Sequence, residues 1–341
     1  MTEYHDEVVP FVAGDGMACN LVHLVAESPP TRGPVILVHG AGVRANIFRA
    51  PIDRPLVDLL VDDGYDVWLE NWRASADLKA NQWTLDKAAA FDHPRAVDTI
   101  VEQTGADEVK AVIHCQGSTS FAMSAVAGLL PKVSTIVSNA VCLHPVIPPL
   151  ARWKMQYLHS AFRIVTRYLN PAWGLESPDL VASAFLAWVH LAHRECDNDV
   201  CRLVSFSYGV GKPTLWSHEN LNDETHEWMK HEFGNCPISF FLQMARCVKA
   251  GHLISVDALQ GLPQSFVAEP PATDARFAFF AGAHNRCFLP DSQERTYEYF
   301  DAHRPNYHSL HVLPTYGHLD VFMGKNAPSD VFPLILEELA K

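Results

Sequence analysis

Strand-length runs alternating with helix-length segments restrict this chain more than any other feature. The runs are "PVILVHG" (34–40), "YDVWLEN" (65–71), "VKAVIHC" (109–115), "VSTIVSNA" (133–140) and "RFAFFAG" (276–282). The first is continuously apolar, which suits a strand covered on both faces. Between the first four lie "RPLVDLLVDDG", "DHPRAVDTIVEQTG" and a segment from Gln116 to about Leu130, all with helical spacing. Such alternation builds a mostly parallel sheet with helices on both faces, an α/β fold. Ahead of it, "VVPFVAGDGMACNLVHLV" predicts a hairpin on a Gly-Asp-Gly turn. "YHSLHVLP" (307–314) and a helix near "DVFPLILEELA" close the pattern.

From about 146 to 262 the pattern changes. "LARWKMQYLHSAFRIVTRYLN", "DLVASAFLAWVHLAH", "HEWMKHEFGN" and "SFFLQMARCVKAG" read as helices, with almost no strand between them. The expectation is one α/β core from 1–145 and 263–341, interrupted by a helical cap over 146–262. A net charge of −13 argues against a nucleic-acid or anionic-membrane surface. No stretch approaches the roughly 20 apolar residues of a membrane span, and "MTEYHDEVVPFVAGDG" lacks the apolar segment of a secretory signal, so a cytoplasmic location is expected. Eight cysteines in a chain of 341 residues do not make a disulfide scaffold. Cys196 and Cys201 in "CDNDVC" match no zinc spacing and read as a thiol pair in one helical segment. No metal and no organic cofactor is expected.

Four marks fall where the strands end: His39–Gly40, Cys115 in "AVIHCQGSTS", "AHNRCFLP" (283–290), and "YGHLD" with His318. Ligands of open α/β sheets sit at the carboxyl ends of strands. With "HCQGS" and "YGHLDVFMGKNAPSDVF" quoted, and with "DVWLENWRAS" after the second run, the chain resembles the α/β-hydrolases, and among them the acid lipase branch. The resemblance implies an α/β-hydrolase fold in which Cys115 stands at the nucleophile, His318 at the base, and Asn285 where the family has aspartate. A cysteine at this apex is also found in dienelactone hydrolases and polyhydroxyalkanoate synthases.

Cysteine makes the asparagine intelligible. A serine triad loses about 10⁴ in rate when its aspartate becomes an amide. A thiol beside histidine can fall several units below its usual 8.5, and the third group then needs only to orient the ring. The expected arrangement therefore has the Asn285 carbonyl accepting from His318, with Asp320 as the rival orienting group. Ile113 stands where the elbow has glycine, which calls for local widening or a small neighbour. Ser118 and Ser120 fall on the following helix and are poor rival nucleophiles. The backbone N–H groups of Gln116 and Ala41 are the expected oxyanion donors, and His39 reads as a packing residue fixing that loop. Arg44, Trp72 and Arg73 leave the same sheet edge and are candidates for holding a substrate.

Aromatic residues in 146–262, among them Trp153, Phe185, Trp188, Phe206 and Tyr208, favour an enclosed apolar pocket. The expected function is cleavage of a hydrophobic ester, lactone or thioester through an acyl-Cys115 thioester. The alternatives are an acyltransferase with an alcohol, amine or thiol acceptor, and a non-catalytic binder of hydrophobic ligands on a hydrolase scaffold.

Overall fold

The computed structural model describes residues 2–176, 179–194, 196–210 and 213–341. Its sheet has eight strands: β1 (Tyr4–Val12), β2 (Ala18–Ala26), β3 (Pro34–Val38), β4 (Asp66–Asn71), β5 (Val109–His114), β6 (Val133–Asn139), β7 (Arg276–Gly282) and β8 (Ser309–Leu313). Their spatial order is β1-β2-β4-β3-β5-β6-β7-β8. The hairpin β1–β2 and the β2–β4 pair are antiparallel, and every other pairing is parallel. Burial follows position. All five residues of β3 are buried in the centre of the sheet, whereas β1 at the edge exposes most of its residues, Asp6 and Glu7 among them. Charge on an edge strand discourages pairing with another chain.

Helices α1 (Leu56–Asp62), α2 (His93–Thr104) and α3 (Cys115–Val126) connect the parallel strands, and α9 (Pro290–His303) and α10 (Phe332–Ala340) cover the later ones. α2 ends where Gly105 turns to φ +68° and donates its N–H to the Val101 carbonyl, the left-handed stop that glycine takes without strain. Every residue of α3 is buried. Between β6 and β7 lie α4 (Pro149–Phe162), α5 (Leu180–Ala192), α6 (Asp199–Tyr208), α7 (Asp223–Trp228) and α8 (Ile238–Ala250). Among the described residues this stretch has only one paired strand, two residues long on each side, Tyr168–Leu169 with Cys236–Pro237. Phe162, Phe185, Trp188 and Phe206 pack ring to ring inside it. The buried Lys154 of α4 donates to the carbonyls of Phe206 and Gly209, joining two of these helices where α6 ends. Among the described residues no helix is long and apolar enough to cross a membrane.

Candidate active site

β5 ends at His114 and α3 begins at Cys115, so the chain turns within one residue. Cys115 takes φ +58°, a conformation that strains any residue with a side chain. At a strand-to-helix turn that strain presents the side chain at the end of the sheet. Gly117 makes the turn possible: a Cβ there would lie 2.1 Å from the carbonyl oxygen of His39. Ile113 is fully buried in β5, in register with Val38 on one side and Ser138 on the other. Ser138 is the smaller of these two cross-strand neighbours. Ser118 bonds Ser138 at 2.6 Å, and Ser120 lies 2.7 Å from Nε2 of His93, so neither hydroxyl faces a substrate.

Two backbone N–H groups converge on the Cys115 sulfur, from Gln116 at the start of α3 and from Ala41 after β3. The loop carrying Ala41 is held from three directions. His39 donates from Nδ1 to the Gly40 carbonyl at 2.7 Å, Trp72 donates from Nε1 to the His39 carbonyl at 3.0 Å, and Tyr208 of α6 donates to the Ala41 carbonyl at 3.0 Å. Tyr208 was legible in the sequence only as one aromatic among many.

A ring nitrogen of His114, a ring nitrogen of His318 and the Cys115 sulfur lie within 4.8 Å of one another. His318 is fully buried, and its Nε2 has no hydrogen-bond partner. Its backbone N–H and that of Leu319 donate to the Leu215 carbonyl, which seats the loop after β8. Asn285 reaches the far side of the ring, with Nδ2 3.0 Å from Nδ1. The polarity is the reverse of the expected one. The Asn285 Oδ1 accepts from the backbone N–H groups of Cys287 (3.0 Å) and Phe288 (3.2 Å), which leaves the NH₂ to face the ring. Nδ1 is therefore the acceptor, and the hydrogen of the neutral ring sits on Nε2. A carboxylate in the same place would offer one oxygen to the two amides and the other to the ring; an amide has only one oxygen to give.

Asp320 does not replace it. Its carboxylate accepts from Gly317 N–H (2.8 Å), Ser217 N–H (3.1 Å) and Asn220 Nδ2 (2.7 Å), so it binds the loop and not the imidazole.

Burial governs the charge state of the site. It pushes the Cys115 thiol up to about 12, against the lowering influence of the Gln116 and Ala41 amides, and it is the one influence that lowers His318, to about 3. Burial thus opposes both members of the thiolate–imidazolium pair expected from the residue types. The measurable consequence is the pH profile of alkylation. The rate at which iodoacetamide labels Cys115 should climb through pH 9 and 10 without levelling, because the thiolate fraction still rises there. A plateau reached near pH 7 would contradict this.

The cavity beside Cys115 is small, about 10 Å³, with room for about one water molecule. Its walls come from the strand ends and from the segment between β6 and β7: Ala41, His114 and His318 on one side, Tyr208, Leu215 and Phe233 on the other. None of the residues expected to hold substrate lines it. Trp72 is buried behind the loop that carries Ala41. Arg73 is buried too, and although burial opposes its charge, Asp92 and Asp15 take up its guanidinium. Arg44 pairs with Asp77 at 3.0 Å. Trp72 and Arg73 are thus taken up by buried structural partners, and Arg44 by a half-exposed ion pair. Behind α3, Ser120, His93 and Glu70 reproduce a hydrolase-like hydrogen-bond chain. All three are fully buried and none lines the cavity, so that chain serves the core.

Residues 33–324 match the family model described as the alpha/beta hydrolase fold. The chain is similar to human lipase member K, at 23% identity over 335 residues, covering 89% of this chain and 79% of that protein. It is also similar to mouse gastric triacylglycerol lipase, at 26% identity over 317 residues, 84% and 74% of the two chains. Among solved structures, an esterase from Exiguobacterium antarcticum superposes with a TM-score of 0.60 at 11% identity, covering 98% of this chain and 99% of that one. The monoacylglycerol lipase of Paleococcus ferrophilus gives 0.59 at 15% identity, covering 98% of each.

Proposed function

The chain belongs to the alpha/beta hydrolase family, and from that footing we propose that it cleaves hydrophobic carboxylic esters by acyl transfer through Cys115. One observation carries the reading: the Ala41 and Gln116 amides converge on the sulfur of a strained elbow residue, with the His318 ring beside it. Amides so placed stabilise the oxyanion of a tetrahedral intermediate without reorganising. The lipase names of the relatives and the apolar cavity wall support an ester with a hydrocarbon chain.

In the proposed reaction α4–α8 act as the cap and give way to admit substrate. The Cys115 sulfur forms a bond to the ester carbonyl carbon while the thiol proton passes to Nε2 of His318. The alcohol leaves with that proton, and the thioester is resolved by water. An alcohol, amine or thiol in place of water makes the same intermediate an acyl donor. Nε2 can accept a proton only if Nδ1 carries hydrogen, so Asn285 must turn its oxygen to the ring and release the Cys287 and Phe288 amides. Hydrogen bonds of this kind are each worth about 0.5–1.5 kcal/mol net. We assign this turn as the step that limits turnover.

A binding protein that holds a hydrophobic ligand without turnover is the second reading, favoured by the donor that Asn285 presents to the ring. Incubation with p-nitrophenyl octanoate separates the two. An octanoyl adduct located on Cys115, cleaved by hydroxylamine and lost in Cys115→Ala, is the expected result. Absence of the adduct together with ester cleavage equal in the Cys115→Ala protein would overturn the proposal.

A further inference from the structure

The two cysteines of "CDNDVC" acquire partners that sequence spacing does not suggest. Cys196 lies just ahead of α6 and Cys201 in its first turn, while His218 sits on a short 3₁₀ turn and His226 on α7. One donor atom from each of the four lies within 4.8 Å of every other. The Cys201 sulfur is already 3.5 Å from Nε2 of His218. The two imidazoles meet edge to face, centroids 4.9 Å apart and planes at 89°. Nε2 of His226 is buried and has no hydrogen-bond partner. Both cysteines are thiols rather than halves of a disulfide.

We propose that Cys196, Cys201, His218 and His226 bind a structural zinc ion. The set is two thiolates and two neutral imidazoles, the composition of a closed tetrahedral site with no open position for chemistry. Zinc bonds of about 2.3 Å to sulfur and about 2.0–2.1 Å to nitrogen place tetrahedral donors about 3.3–3.8 Å apart. The Cys201–His218 contact falls inside that range, and the remaining donors reach it by side-chain rotation. An outer layer supports the ligands. The Asn198 Oδ1 accepts from Cys201 N–H at 3.1 Å, and its Nδ2 donates to the His226 carbonyl at 3.2 Å, tying the cysteine segment to the helix that carries His226. Such partners fix ligand orientation.

The location explains what the ion does. It pins the N-terminal end of α6 to the 3₁₀ turn and α7, and the far end of α6 carries Tyr208, which holds the Ala41 peptide. The segment between α6 and the 3₁₀ turn carries Leu215, whose carbonyl seats His318. Zinc therefore cross-links the segments that supply Tyr208 and Leu215 to the site, and it would do so whether or not Cys115 turns over an ester.

The full chain, purified without chelators or a histidine tag, should hold about one zinc per molecule by plasma mass spectrometry. Exchange for cobalt(II) should give the intense visible bands of a tetrahedral thiolate site, and chelation should lower the melting temperature. Cys196→Ser and His226→Gln should each weaken metal affinity at least about 10-fold with Cys115 intact. Should those variants not fold, the cobalt spectrum of the wild-type chain decides alone. Failure to retain zinc or cobalt when either is added, an octahedral cobalt spectrum, or a Cys196–Cys201 disulfide in the native protein would overturn the proposal.

Discussion

Asn285→Asp should raise ester turnover by about 5- to 150-fold, the gain expected when two hydrogen bonds of about 0.5–1.5 kcal/mol each need no longer be given up before the ring can act. The reason is the direction of one hydrogen bond. In the wild-type chain the amide oxygen is occupied by the Cys287 and Phe288 N–H groups, and the NH₂ faces Nδ1 of His318. The ring then shows a hydrogen to Cys115 where a lone pair is needed. Aspartate keeps the two backbone bonds with one oxygen and offers the other to Nδ1–H, so Nε2 becomes basic without any turn of the side chain. A negative charge beside the ring also raises His318 from its buried value of about 3. The gain belongs in kcat with KM little changed, because the substituted atom faces the ring and not the cavity. Steady-state kinetics on p-nitrophenyl octanoate checks it, and an aspartate variant no faster than wild type between pH 7 and 9 would show that the tautomer does not limit the reaction.

Cys115→Ser alone should lose at least about 10³ of turnover, although serine is the usual residue of the family, and Cys115→Ser with Asn285→Asp should recover most of it. A hydroxyl has no accessible anion and depends wholly on a base, which the present tautomer does not supply. A thiol is less dependent, since its anion is reachable once water enters and burial ceases to hold the thiol near 12. The two positions act as one unit, so their effects should be far from additive. If the serine variant matched wild type in the asparagine background, the coupling between the two positions would be refuted.

The sheet was legible because its signal is local. Apolar runs such as Val35–Val38 and Phe277–Ala281 have one stable environment, and the glycine after α2 marks its own helix end. The elbow was legible for the same reason: residues 113–117 are contiguous, and Gly117 states how close the backbone comes. What the sequence could not carry was orientation. Asn285 was found, but which of its ends faces His318 depends on the N–H groups of Cys287 and Phe288, fixed by the path of a loop. Arg73 and Trp72 were placed near the site by their strand, yet a neighbour distant in sequence, Asp15 for the arginine and the His39 carbonyl for the tryptophan, turned each away. Residue types suggest attraction between a thiolate and an imidazolium, while the closed packing adds a desolvation cost that opposes both charges and that no sequence shows. The Cys196–His226 cluster is a product of tertiary folding: sixteen residues separate Cys201 from His218, and no periodicity spans that gap.

The hydrogen bond from Tyr208 to the Ala41 carbonyl makes entry and readiness compete. Tyr208 both walls the cavity and anchors the carbonyl of Ala41, the residue whose N–H faces Cys115. A bulky guest that pries α6 outward gains admission at the expense of the donor it needs. A slender chain that slides between Phe233 and Leu215 leaves the anchor in place. Selection among substrates would then act on girth and not on length: branching next to the carbonyl should be penalised steeply, while added methylenes at the far end of a straight chain should be nearly indifferent.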